Sequence, residues 1–196
     1  TEVERMVKMC KLDATKTAVV LGCGMEGLLT TAALKTLGVD KIIVIDQESE
    51  KNRAMEFGAW EFIGSHGKNG VAGVQEKIRA AAGDMADAVF ICTDSVMGRN
   101  VARRFMKNSG SICEMGFLCG WRRTPTARYF EDSMPAGGRF YAARDYENCM
   151  NFLTKAAELK LPLYKLITHR YKLDEINEAM WTVVREEGLG IAVFNR

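Results

Sequence analysis

Three glycines, Gly22, Gly24 and Gly27, stand between two apolar runs in the stretch VVLGCGMEGLL, residues 19–29. A β-branched run before them and a helix-period run after them make a strand, a tight turn and a helix. In such a turn the first glycine permits the reversal and the second lets a phosphate group approach the backbone. The third lets the helix pack close to the strand. Free amides at the start of the helix, with its dipole, then favour an anion. A second apolar run, KIIVI at 41–45, ends in Asp46, 22 residues after Gly24. A carboxylate there accepts hydrogen bonds from the ribose hydroxyls of a dinucleotide and repels a 2′-phosphate, which favours NAD over NADP. Lys51 is a second candidate ribose contact.

Other chemistry is poorly supplied. The chain has two histidines, His66 and His169, and no Cys-x-x-Cys, so a histidine-rich metal site is not expected. No Tyr-x-x-x-Lys pair occurs, which removes the catalytic base of short-chain dehydrogenases. The six cysteines, at 10, 23, 92, 113, 119 and 149, read as reduced thiols of a cytoplasmic protein. His169 in ITHR is expected to pack or bond locally rather than relay protons, and His66 to be solvated.

The elements that must position the turn follow an alternating pattern. Apolar runs at 17–21, 41–45, 61–63, 88–92, 111–115 and 138–142 read as strands. Helix-period stretches at 27–38, 71–82, 100–106 and 146–159 lie between or after them, and Gly58 is a helix stop. Residues 116–138 carry Pro125, Pro135 and paired glycines and read as a long irregular connection. The expected fold is α/β, a Rossmann-type doubly wound six-stranded parallel sheet with a short C-terminal return segment. Residues 1–143 would form the NAD-binding domain, and 144–196 a helix and the return segment, with Ile176, Met180, Val183 and Val184 on one helix face.

Bulk properties narrow the partners. With 196 residues, 47% hydrophobic and 27% charged, the chain can bury a core. A net charge of +2 gives no reason to expect nucleic acid, and no apolar run is long enough to span a membrane. The first ten residues lack the basic start and apolar middle of a signal peptide.

Two other readings share the glycine turn. In S-adenosylmethionine methyltransferases the third glycine falls four residues after the first and an acidic residue usually stands two before it; here the third is five on and Val20 holds that place. Nucleotide-sensing regulatory modules, binding proteins without catalysis, commonly carry Gly-Asp after the third strand, where this chain has Gly64-Ser65.

Four stretches in order make the chain resemble the medium-chain, zinc-type alcohol dehydrogenases. They are VVLGCGMEGLLTTAALKTLGVDKIIVID at 19–46, EKNRAMEFGA at 50–59, NSGSICEMGF at 108–117 and LPLYKLITHRYKLDEINEAM at 161–180. The resemblance covers residues 12–196. It implies an isolated cofactor-binding domain with its C-terminal segment. The family's zinc ligands, a Cys, a Gly-His-Glu and a further Cys or Asp, belong to an N-terminal catalytic domain not in this sequence, so this chain is expected to bind no metal and to be inactive alone. Zinc and the alcohol substrate would belong to the full-length enzyme. The resemblance further implies that Gly22, Gly24, Met25, Glu26 and Gly27 hold the pyrophosphate of NAD(H), and that Asp46 and Lys51 hold the ribose. Thr93 would edge the adenosine side, Gly116 and Phe117 would meet the nicotinamide, and backbone at Ala142 would face its carboxamide. It implies a homodimer joined through the sixth strand at 138–142. One departure stands out: the family often has a phosphate-binding Arg in a Gly/Ser-Ile-Arg run, and here the run is Gly190-Ile191-Ala192.

Overall fold

In the computed structural model, which describes residues 2–66, 70–93, 95–114, 145–185 and 188–194, five strands form one parallel sheet. They are β1 (Thr17–Leu21), β2 (Lys41–Asp46), β3 (Glu61–Gly64), β4 (Ala86–Ile91) and β5 (Met106–Glu114), in the spatial order β3-β2-β1-β4-β5. Helices α2 (Met25–Thr36), α3 (Lys51–Glu56), α4 (Gly70–Ala82) and α5 (Val96–Ala102) alternate with them, after an N-terminal α1 (Glu2–Met9). The sheet is parallel because every strand returns through a helix, and its inner strands β1, β2 and β4 are apolar on both faces because helices cover both. All five residues of β1 are buried, as the run TAVVL requires of a central strand.

The pairing of β1 decides where a ligand can go. On one edge β1 pairs with β2, Thr17 opposite Lys41 and Leu21 opposite Ile45. On the other it pairs with β4, Ala18 opposite Ala88 and Leu21 opposite Ile91. The chain moves outward one way from β1 and then the other way, which opens a crevice past the carboxyl ends of β1 and β4.

The core lies between sheet and helices. Val19, Ile43, Val89 and Ile112 form one layer across four strands, met by Val74 and Ile78 from α4 and by Phe105. Helix α2 buries residues around much of its circumference, including Thr30 and Thr31, because α1 and α6 (Asp145–Glu158) pack on it as well as the sheet. The two buried hydroxyls are satisfied within the helix, Thr30 donating to the Glu26 carbonyl and Thr31 to that of Gly27.

Several expectations are adjusted. The α/β class and parallel sheet are observed, with five strands among the described residues; the expected sixth, at 138–142, and the connection at 116–138 lie outside them. The helix expected at 100–106 is α5 at Val96–Ala102, followed by a single 3-10 turn at Arg103–Phe105. Strand β5 begins at Met106 rather than 111, because an irregularity in its pairing with β4 between Ala86 and Ala88 absorbs the polar residues Asn108 and Ser109. Helix α1 was not anticipated.

The chain divides into two compact units at Leu161/Pro162, and α6 packs on α1 and α2 within the first. The second unit, Pro162–Arg196, holds β6 (Ile167–Lys172), α7 (Ile176–Val184) and β7 (Gly190–Phe194), with β6 and β7 paired in parallel. The expected apolar face of α7 is present and solvent-exposed: Ile176, Met180, Val183 and Val184 are all at least 40% accessible. Within this unit α7 is fastened instead by Thr182, whose hydroxyl bonds that of Tyr171 at 2.7 Å. His169 bonds Thr168 at 3.0 Å and stacks on Tyr171, a local role on β6. Among the described residues no helix is long and apolar enough to cross a membrane.

Candidate functional site at the glycine turn

The turn after β1 is built from contacts only glycine allows at two places. Gly22 has φ of +106°, and a Cβ there would lie 2.5 Å from the carbonyl oxygen of Cys92, the residue after β4. At Gly27 a Cβ would come within 1.9 Å of the Gly22 carbonyl oxygen, so α2 lies against the turn at a distance no side chain permits. Gly24 is different. It has an ordinary φ of −66°, and a Cβ there would meet nothing within 4 Å. The chain therefore keeps clear space above Gly24 while closing tightly beneath Gly22 and Gly27.

Gly24 is also the N-cap of α2, and no side-chain hydrogen bond caps the helix there. Helix starts usually recruit a Ser, Thr, Asp or Asn for the orphan amides. A glycine cap beside open space suits an anion in that role.

Asp46 comes to the same place from the end of β2. Its Oδ2 accepts the Cys23 amide N–H at 2.5 Å and its Oδ1 accepts that of Gln47 at 2.7 Å. Cys23 lies between the first two glycines, so the carboxylate is bonded into the turn itself. Burial, and after it the Asp46 charge, push the Cys23 thiol up to about 12. Burial pushes the Cys92 thiol up to about 12 as well. Both are neutral thiols at physiological pH and make poor nucleophiles.

A cavity of about 380 Å³ opens at the carboxyl ends of the strands, lined by Gly22, Asp46 and Thr93 from the expected set. That volume is within the ~300–1,000 Å³ of small-molecule sites. Its wall is largely aliphatic and aromatic, with Val71, Val74, Val101 and Phe105, and its rim carries Ser65, His66 and Ser95. Sequence reasoning missed these rim residues. Ser65 and His66 follow β3 directly and Ser95 lies four residues past β4, so the rule that ligands sit beyond strand carboxyl ends could have found them. His66 bonds Ser65 at 3.0 Å.

The remaining expected residues fall in three places. Gly24, Met25 and Glu26 form the exposed start of α2, with Gly27 buried behind them. Lys51 stands outside the cavity on α3, its ammonium 4.0 Å from Glu48 in an exposed ion pair that adds little to stability. Gly116, Phe117 and Ala142 lie outside the described residues. Among the described residues no group of three His, Cys, Asp or Glu side chains gathers as a metal site requires.

Comparison with known proteins agrees with this architecture. The chain is 28% identical to sorbitol dehydrogenase 1 of Saccharomyces cerevisiae over 169 residues, 82% of this chain and 46% of that protein. The crystal structure of an alcohol dehydrogenase from Thermotoga maritima superposes with a TM-score of 0.78 at 19% identity, over 99% of this chain and 54% of that one. A short chain alcohol dehydrogenase of E. coli CFT073, solved in complex with the cofactor NADH, matches with a TM-score of 0.69 at 17% identity over 97% of this chain and 55% of that one. The chain spans about half the length of the curated relatives it matches. The sequence profile described as zinc-binding dehydrogenase matches residues 27–155, from the third glycine of the turn through most of α6. With its strand order, its glycine turn and this match over most of its length, the chain belongs to the zinc-binding dehydrogenase family.

Proposed function

We propose that this chain is the NAD-binding part of a zinc-dependent alcohol or polyol dehydrogenase, presenting the nicotinamide for hydride transfer from an alcohol held elsewhere in the full-length enzyme. The observation that carries the reading is the hydrogen bond that Asp46 accepts from the Cys23 amide, which ties the acid proposed for the ribose to the turn proposed for the phosphates. NAD supplies the hydride acceptor when bound. The chain's own residues do the positioning. The start of α2 and the open space over Gly24 take the diphosphate, and the oxygens of Asp46 take the adjacent ribose hydroxyls. The apolar wall of Val74, Val101 and Phe105 excludes water from the adenosine half, with Thr93 at its edge. Lys51, Gly116, Phe117 and Ala142 complete the proposed set.

The relatives support the substrate class. One is named sorbitol dehydrogenase and another D-xylulose reductase, and a structural neighbour is described as bound to NADH. Zinc, in this reading, belongs to the parent enzyme and is not held by this chain. Residues 1–143 act as the nucleotide-binding domain and 144–196 rejoin the catalytic domain. Pairing of the run GRFYA at 138–142 across a two-fold axis would give a homodimer, since an uncovered apolar strand edge tends to pair; a monomeric mass in solution would exclude it.

Titration with NADH, NADPH and S-adenosylmethionine separates this function from its rivals. Saturable binding of NADH, weaker binding of NADPH and none of S-adenosylmethionine is expected, with no alcohol oxidation by the chain alone. Binding of S-adenosylmethionine without NADH would identify a methyl-transfer site, and turnover abolished by a chelator would overturn the assignment of zinc.

A further inference from the structure

Two thiols far apart in sequence meet beneath the sheet. Cys10 follows α1, and Cys113 is the penultimate residue of β5, paired across the ladder with Phe90. Their sulfurs lie 3.1 Å apart, although 103 positions separate them. That is closer than two unbonded sulfurs ordinarily rest, and about 1 Å from the ~2.05 Å of a disulfide. The approach is set by packing on both sides. Met6 and Val7 of α1 are buried, Glu4 is buried and paired to Lys8 at 2.6 Å, and the Cys10 amide is held by the Val7 carbonyl at 3.2 Å. Cys113 is buried in the strand, and its thiol also reaches the Met6 carbonyl at 3.8 Å.

We propose that Cys10 and Cys113 are a redox pair that closes to a reversible disulfide clipping α1 to β5. The two sulfurs are unlike, as such a reaction needs. Cys10 is half-buried, and the hydrogen bond from Cys113 holds its thiol below the ordinary range. The same bond together with burial holds Cys113 well above it. Cys10 is therefore the nucleophile and Cys113 the resolving thiol. With a peroxide as oxidant, the Cys10 thiolate attacks one oxygen, the O–O bond breaks, and the departing hydroxide takes a proton to leave as water. The resulting sulfenic acid is attacked by the Cys113 sulfur; its S–O bond breaks, and the Cys113 proton leaves with the oxygen as a second water. The two thiols lose two electrons and two protons, and the peroxide is reduced to two waters. A dithiol reverses the bond by exchange.

The test uses the chain as it stands. After hydrogen peroxide, quenching with an alkylating reagent under denaturing conditions and digestion without reductant, mass spectrometry should find the segments holding Cys10 and Cys113 joined and released by dithiothreitol. The melting temperature of the oxidised chain should lie roughly 10 °C above that of the reduced chain, because the bond closes a long loop in the unfolded state. Cys10→Ser should melt like the reduced wild type and show no shift with peroxide. Separate alkylation of both cysteines after peroxide, or over-oxidation of Cys10 without the joined peptide, would overturn the proposal. The peptide result comes from the wild-type chain, so it stands whether or not the variant folds.

Discussion

Gly27→Ala is expected to cost the fold about 3 kcal/mol or more and to lower the melting temperature by roughly 6–12 °C. The added methyl would sit 1.9 Å from the Gly22 carbonyl oxygen, which is backbone and cannot rotate away. Relief requires α2 to move off β1, yet Leu28, Ala32 and Leu34 of that helix are fully buried on the sheet or on α1 and α6. Such a loss is a large share of the ~5–15 kcal/mol that holds a domain together. The contrast lies three residues earlier. Gly24→Ala meets open space at a permitted backbone angle, so it should melt close to the wild type and reveal itself only through the ligand. Thermal melts of both variants check the pair. A Gly27→Ala chain that melts within ~2 °C of wild type would mean that helix and turn are not packed as described.

The second large effect falls on affinity. Asp46→Ala removes an acceptor shared by the Cys23 and Gln47 amides and, in the proposed complex, by a ribose. Hydrogen bonds to a charged group contribute about 1.5–3 kcal/mol, so NADH should bind roughly 10–100-fold more weakly. The preference against NADPH should shrink at the same time, since the carboxylate that repels a 2′-phosphate is gone. Asp46→Asn separates charge from support: its side-chain oxygen can still accept an amide, so it should melt nearer to wild type than the alanine variant while losing the same discrimination. An unchanged ratio of NADH to NADPH affinity in both variants would remove Asp46 from the cofactor site.

How much of this was legible depended on burial. The runs VVL, IIVI and AVFI are apolar on both faces, a pattern that in a chain this short leaves little besides a parallel sheet. The turn was legible because three glycines carry three separate steric demands. The structure adds that two of those demands, at Gly22 and Gly27, are internal to the fold, and the one at Gly24 is not. Helix α1 is not legible although Val3, Met6 and Val7 stand at helical spacing, because eight residues are too few to form a helix without the packing that buries Met6 and Val7. The early start of β5 is not legible because Ser109-Gly110 reads as a turn ahead of the run at 111–115; neighbouring strands and an irregular register override that local preference. The rim of the cavity was missed because Ser65, His66 and Ser95 have no motif of their own. They are site residues by topology alone. The meeting of Cys10 with Cys113 is of the same kind, since no spacing rule joins positions 103 apart.

Everything functional depends on one placement: a diphosphate over Gly24 with its ribose on Asp46. A crystal structure of the chain with NADH tests it most directly. Diphosphate oxygens are expected within hydrogen-bonding distance of the Met25 and Glu26 amides, and ribose hydroxyls on the Asp46 carboxylate. Density for the cofactor away from both, or none at a saturating concentration, would contradict it.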